Sequence, residues 1–205
     1  MSKAVREITL PADASLTELR RLAADCRNCP LWKLGTQTVF GEGPAKARIV
    51  IVGEQPGNRE DLAGRPFVGP AGQLLDRALD EAGVDRATAW VTNAVKHFKW
   101  KPRGKVRLHQ KPSAGEIDAC KPWLDAELRK IAPEILILLG ATAARSLLGP
   151  RVRVTVDRGV IVAPELAPRV ILTVHPSSLL RSRDEQGRAE RYRAFVCDLA
   201  LAKGG

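Results

Sequence analysis

The sequence predicts an α/β fold: a three-layer α/β/α sandwich around a mainly parallel central sheet. Three observations predict it. Strand-like and helix-like segments alternate along the chain. The strand-like segments are continuous β-branched apolar runs rather than alternating ones, as expected for strands covered on both faces. Two of them stop abruptly at Gly53 and Gly140, where a chain leaving a strand turns into the next element.

The elements follow in order. Arg48–Val52 reads as the first strand and Gln73–Ala82, with Leu74, Leu75, Ala78 and Leu79 on one face, as a helix. Ala89–Val95 is a second strand. Glu116–Ile131 repeats apolar residues at a 3–4 spacing (Ile117, Cys120, Leu124, Leu128, Ile131) and is a helix. Glu134–Leu139 is a strand, Ala141–Leu148 a short helix, and Val152–Val162 a set of short antiparallel strands around Asp157-Arg-Gly159. Val170–Val174 is the last strong strand. Arg188–Ala202 closes the fold as a helix with Tyr192, Phe195, Val196 and Leu199 on one face. Three long irregular stretches remain, at 26–46, 54–72 and 96–113, and loops that long in a compact domain are usually functional or disordered. No repeat or linker interrupts the chain, so residues 1–205 read as one domain.

Composition narrows the function. The 205 residues carry 33 Lys+Arg against 23 Asp+Glu, a formal charge of +10, and are 44% hydrophobic. That is enough apolar material for a core, and the basic excess favours a polyanionic partner such as nucleic acid over a merely solvated surface. No apolar run is long enough to span a bilayer, and MSKAVREITLPADAS has no signal-peptide character. The expectation is a cytoplasmic, nucleoid-associated, prokaryotic monomer without membrane contact. Four cysteines in a reducing compartment are poor material for disulfides.

In open α/β sheets ligands bind beyond the carboxyl ends of the strands, so the residues after each apolar run matter most. Gly53-Glu-Gln-Pro-Gly57 offers close backbone approach and a carboxylate able to orient or activate a nucleophile, or is an ordinary turn. Gly64–Gly72 is a rigid loop presenting Phe67. His175-Pro-Ser-Ser-Leu-Leu-Arg181 sets a His beside hydroxyls and an Arg, suited to an anionic leaving group, or is a capped strand end. Residues 96–111 interleave seven Lys/Arg with Phe98 and Trp100, a pattern that suits a nucleic-acid backbone and its bases. His109 ends that stretch, and flanking cations favour its neutral, nucleophilic form. Cys26-Arg-Asn-Cys29 fits a redox pair, zinc or an iron–sulfur site. Cys120 lies on a helix face, Cys197 reads as a small core residue, and His97 is the candidate fourth donor.

Together these clusters resemble the uracil-DNA glycosylase superfamily from Cys26 to about Tyr192. GEQPG at 53–57 and HPSSLLR at 175–181 look like its two active-site motifs, with GRPFVGPAGQLLD at 64–76 and VTNAVKH at 91–97 between them. The CxxC and Cys120 resemble the iron–sulfur branch (family 4-like). Within it the chain resembles most the covalent, self-trapping type called UdgX. Gln55 replaces the alanine of the ordinary GEAPG. His97 stands where a third cluster Cys is usual. Lys105–His109 matches a basic inserted loop, about 99–111, usually KRRIH; here Val106 replaces Arg and Leu108 replaces Ile, while Arg107 and His109 are kept.

The resemblance implies a [4Fe–4S] cluster on Cys26, Cys29, His97 and Cys120, with zinc as the alternative for three Cys and one His. It implies uracil-containing DNA, single-stranded by preference, as substrate. Gly53, Gln55, Gly57, Phe67, Asn93, His175, Ser177 and Arg181 would hold the extruded base, Phe67 by stacking and Asn93 by reading its edge. His175 would stabilise the departing uracil anion. His109, oriented by Glu54, held by Arg107 and accompanied by Gln55, would attack C1′ and remain bonded to the abasic sugar. A conventional, turning-over iron–sulfur enzyme and a non-catalytic nucleic-acid-binding metal module are the rival expectations.

Overall fold

A computed structural model describes residues 8–181 and 184–203; residues 1–7, which carry part of the reading of the N-terminus, lie outside it. The helices are α1 (Leu16–Ala24), α2 (Asn58–Ala63), α3 (Pro70–Ala82), α4 (Ala114–Ile131), α5 (Gly140–Leu148), α6 (Val154–Asp157), α7 (Pro176–Leu180) and α8 (Glu185–Ala200). The strands are β1 (Ile49–Gly53), β2 (Ala89–Asn93), β3 (Trp100–Arg103), β4 (Val106–His109), β5 (Ile135–Leu139), β6 (Gly159–Ile161) and β7 (Arg169–Thr173). Five of these strands form one sheet in the order β2-β1-β5-β7-β6, parallel except for the edge strand β6. The three-layer fold is as the sequence predicts.

Alternate residues of each central strand feed two cores, because side chains on a strand point to opposite faces. Val50, Val52, Leu136, Leu138, Val170 and Leu172 pack under α1, α4 and α5. Ile49, Ile51, Val91, Ile135, Ile137 and Ile171 pack under α3 and α8. β1 and β5 are buried at every position, which explains their unbroken apolar runs. α4 starts at a capping box between Ser113 and Glu116, which satisfies two of its free N–H groups. In α8, Phe195 and Leu199 face the core but Cys197 is exposed, contrary to its reading as a core residue. One residue of offset on a helix turns a side chain by about 100°, so sequence proximity to an apolar stripe does not decide burial.

Two further expectations change. The predicted antiparallel strands at 152–162 reduce to β6, because the Arg153 carbonyl accepts the N–H groups of Val156 and Asp157 at 2.9 and 2.8 Å and winds α6. The Asp157 carboxylate also accepts the Arg153 N–H at 2.7 Å. The inserted stretch is not irregular. β3 and β4 pair antiparallel, with Trp100 opposite His109, and Gly104 at φ +58 opens the two-residue turn.

A buried ion pair ties β2 to α4. Lys96 and Glu127 are 1% and 0% exposed and bonded to one another. The Lys96 ammonium also donates to Thr92 Oγ1 at 2.7 Å and to the Asn93 carbonyl at 2.9 Å. Glu127 further accepts from Thr92 Oγ1 and from the Gly41 N–H, each at 3.0 Å. Removing one partner of such a buried pair strands the other charge at a large cost, whereas replacing both by apolar residues is often neutral. Lys96→Met should therefore lower stability by about 3–5 kcal/mol in urea titration, and Lys96→Met/Glu127→Leu should recover most of the loss.

Candidate active site

A cleft of about 890 Å³ opens at the carboxyl ends of β1, β2, β5 and β7. Among its lining residues are Glu54, Gln55, Gly57, Phe67, Asn93, His109, His175, Ser177 and Arg181. Most of the predicted site is therefore assembled in one place. Gly53 stands behind the lining, where a Cβ would lie 2.4 Å from Asn93 Oδ1 and 2.5 Å from the Phe67 ring. Its absence lets those two side chains meet. Phe67 itself adopts φ +56, a region that non-glycine residues rarely occupy. Gly72 makes room for it: a Cβ there would lie 1.7 Å from the Phe67 carbonyl.

Asn93 is 2% exposed, and its Oδ1 is buried without a hydrogen-bond partner. A buried polar atom left unpaired in the protein is costly, and here it lies in a cleft wall where a ligand N–H can satisfy it.

His175 caps α7. Its Nδ1 accepts from the Ser177 N–H at 3.2 Å and lies 2.8 Å from Ser177 Oγ. Because Nδ1 accepts, the ring proton is on Nε2, which is left as a donor. Burial, with help from Arg181 and His109, brings its pKa down to about 4. His175 is thus a neutral N–H donor across ordinary pH.

His109 sits at the end of β4 with its ring at the cleft. Its Nε2 is 2.8 Å from Gln55 Nε2 and 3.3 Å from Glu54 Oε1. The Gln55 amide is oriented by the hairpin backbone: Oε1 accepts from the Lys99 N–H at 3.1 Å, and one Nε2 hydrogen goes to the Gln110 carbonyl at 2.9 Å, which leaves the other for His109. The amide nitrogen therefore faces His109 as a donor, which favours a lone pair on His109 Nε2 and the proton on Nδ1. Burial holds the His109 pKa below its usual value; Glu54 opposes this and Arg181 reinforces it. The second carboxylate oxygen, Glu54 Oε2, accepts from Thr142 Oγ1 at 2.5 Å.

Arg107 does not line the cleft. Its guanidinium pairs with the buried Asp61 carboxylate at 2.6 Å and donates to Asn58 Oδ1 at 2.6 Å, both on α2. It also lies 5.4 and 5.5 Å from the Phe98 and Trp100 ring centres. Its place is that of a clamp on the hairpin rather than of a group facing substrate. Asp61 in turn accepts from the Thr36 N–H and hydroxyl at 2.8 and 2.7 Å. Sequence reasoning missed Asp61 and Thr142, since neither belongs to a cluster of chemical residues in the chain.

The predicted basic–aromatic platform is partly dismantled. Lys96 is buried in its ion pair, Lys99 pairs with Glu116 at 2.8 Å, and Phe98 is 1% exposed. Trp100 donates its indole N–H to the Leu34 carbonyl at 2.7 Å. Lys101, Arg103, Lys105 and Lys111 stay exposed.

Cys26, Cys29 and Cys120 lie near one another: Cys26 acts electrostatically on Cys29, and both act on Cys120. Cys26 Sγ accepts from the Trp123 indole N–H and Cys120 Sγ from the Lys96 N–H, both at 3.2 Å. Burial pushes the Cys120 thiol up to about 12 and raises Cys29. Such sulfurs are held as neutral thiols unless a metal takes them as thiolates. His97 is buried, with Nε2 at 3.1 Å from Thr38 Oγ1. Among the described residues no three His, Cys, Asp or Glu side chains are arranged around a single ion.

Carboxylates, two imidazoles held toward neutrality and an amide with an unpaired buried oxygen thus meet in one cleft at the carboxyl ends of a parallel sheet. A sequence model of the Uracil DNA glycosylase superfamily matches residues 40–200, so the chain belongs to that superfamily. It is 36% identical over 199 residues to the Type-4 uracil-DNA glycosylase of Pyrobaculum aerophilum, covering 93% of this chain and 94% of that one. It is 40% identical over 179 residues to the Type-4 uracil-DNA glycosylase of Thermotoga maritima, covering 87% and 88%. A Type-5 uracil-DNA glycosylase of P. aerophilum is 30% identical over 151 residues, covering 65% and 62%. Among the described residues no helix is long and apolar enough to cross a membrane.

The depressed His175 and His109 values fix a pH dependence. A His whose folded pKa is lowered binds fewer protons than in the unfolded chain, so stability rises with pH between the two values. For His175 that window runs from about 4 to about 6.5. His175→Gln should flatten the slope of unfolding free energy against pH across this window in urea titrations, and leave it unchanged above pH 7.

Proposed function

We propose that the chain excises uracil from DNA, preferring single strands, and captures the resulting abasic sugar on His109. Belonging to the superfamily and likeness to Type-4 relatives support the excision half. The capture half rests on one observation: His109 Nε2 stands in the cleft between the Gln55 amide and the Glu54 carboxylate.

The chemistry runs on the residues already described. The extruded uracil lies against Phe67. The unpaired Asn93 Oδ1 accepts its ring N–H, and the amide NH₂ donates to its carbonyl. As the C1′–N1 bond breaks, its electron pair leaves on uracil, and the neutral Nε2–H of His175 donates to that anion. The lone pair of His109 Nε2 forms the new bond to C1′. The imidazole becomes cationic, balancing the uracil anion, and Glu54 stabilises first the oxocarbenium-like sugar and then the imidazolium. Arg181 attracts the DNA backbone at the cleft rim. Arg107 acts at a distance, by fixing the hairpin.

Cys26, Cys29, Cys120 and His97 are assigned to a [4Fe–4S] cluster. The donor chemistry fits, three sulfurs and an imidazole, and two of the sulfurs receive N–H hydrogen bonds of the kind that tune such clusters. When bound, the cluster supplies a structural tie between the 26–29 loop and the chain after β2. Zinc would use the same donors. Visible absorption of the purified protein together with iron analysis decides between them; the expected result is iron, with the band weakened in His97→Ala.

A denaturing gel after incubation with uracil-containing single-stranded DNA tests capture. The expected outcome is a heat-stable shifted band that disappears in His109→Ala, with His109→Ser admitting water and turning over. The second reading, a conventional turning-over enzyme, is favoured by the identity to Type-4 relatives; free abasic DNA from the native protein, without a shifted band, would establish it.

A further inference from the structure

We propose that Thr142 is the positioning residue that decides whether the imidazole or water takes the sugar carbon; the proposal rests on the capture reading above. For water to attack C1′, its oxygen must bond to carbon while its proton passes to a base, and the C1′–N1 electron pair leaves on uracil. Glu54 and Glu60 both line the cleft; Glu60 Oε1 accepts the Gly69 N–H at 2.8 Å, and Glu54 is the carboxylate beside His109. Glu54 Oε1 faces His109 Nε2 at 3.3 Å, and Oε2 accepts the Thr142 hydroxyl at 2.5 Å. With Oε2 bonded and Oε1 screened by the His109 ring, whose Nε2 has no proton to give it, Glu54 is poorly placed to take a proton from water, whereas capture by a neutral imidazole needs no proton removed before the bond forms.

Thr142 is built for this task. It is 1% exposed, in the first turn of α5. A helical Thr hydroxyl commonly turns back to a carbonyl of the preceding turn; this one donates to Glu54 instead. The same turn spaces the other catalytic group: Gly140, at φ +86, is where a Cβ would lie 2.9 Å from His175 Cβ. The β5–α5 turn therefore meets His175 at Gly140 and Glu54 at Thr142. A carboxylate deprived of the hydroxyl has an oxygen open to a water molecule.

The test compares Thr142→Val, which keeps the shape, Thr142→Ala as a second hydroxyl-free variant, and Thr142→Ser, which keeps the hydroxyl. Covalent adduct and free abasic product are quantified on one denaturing gel, with thermal melts confirming folding. Loss of a hydrogen bond to a charged group predicts at least about a tenfold fall in the adduct-to-free-product ratio for Val and Ala, and near-native behaviour for Ser. An unchanged ratio in Val and Ala, or an equal drop in Ser, overturns the proposal. If the native protein forms no adduct, the capture reading fails separately. The rate–pH profile of uracil release then decides: an acidic limb moved to higher pH in Val and restored in Ser supports Thr142 as the residue holding Glu54, and an unmoved limb refutes it.

Discussion

The ion pair between Arg107 and Asp61 is what the geometry of the cleft depends on. An isolated two-stranded hairpin is at best marginally stable in water, and among the described residues β3–β4 pairs with no other strand. Its position is set from outside. Arg107 reaches a fully buried carboxylate on α2, where the low dielectric strengthens a short charge-assisted bond. Gln55 fastens the base of the same hairpin by bonding the backbone of both Lys99 and Gln110. With one clamp at the middle of β4 and another at the stem, His109 has little freedom left. Pre-organisation of this kind holds a side chain where a bound ligand meets it.

The two imidazoles of the cleft show how one residue type serves two tasks. His175 receives hydrogen bonds on Nδ1 and presents a proton on Nε2. His109 receives one on Nε2 from Gln55 and presents a lone pair. Their neighbours set opposite tautomers, and burial keeps both rings toward neutrality. Neither role could be exchanged without reversing its hydrogen-bond partner.

The fold was legible because parallel strands buried on both faces must be continuous apolar runs, and β1, β5 and β7 are just that. The cleft was legible because its residues follow those strands: Glu54 after β1, Asn93 at the end of β2, His175 after β7. What stayed hidden depends on long-range contacts. Asp61 looks like a solvated carboxylate until Thr36 and Arg107 are seen around it, 25 and 46 residues away in sequence. Lys96 looks like part of a basic patch until Glu127 is found on α4, 31 residues on. The α6 turn was misread because β-branched residues were weighed without the backbone and carboxylate bonds that close it at Arg153.

The β3–β4 hairpin has a further consequence for how such a protein can change over generations. Its two flanks are already joined, the Gln110 N–H donating to the Lys99 carbonyl at 2.9 Å, and its tip at Gly104 stands in open space. An excursion sealed at its neck can be gained or deleted as a cassette, leaving the register of the five-stranded sheet untouched. Its removal would nonetheless strand the buried Asp61 charge and free the Gln55 amide, so loss of the segment has to be matched by changes on α2 and after β1.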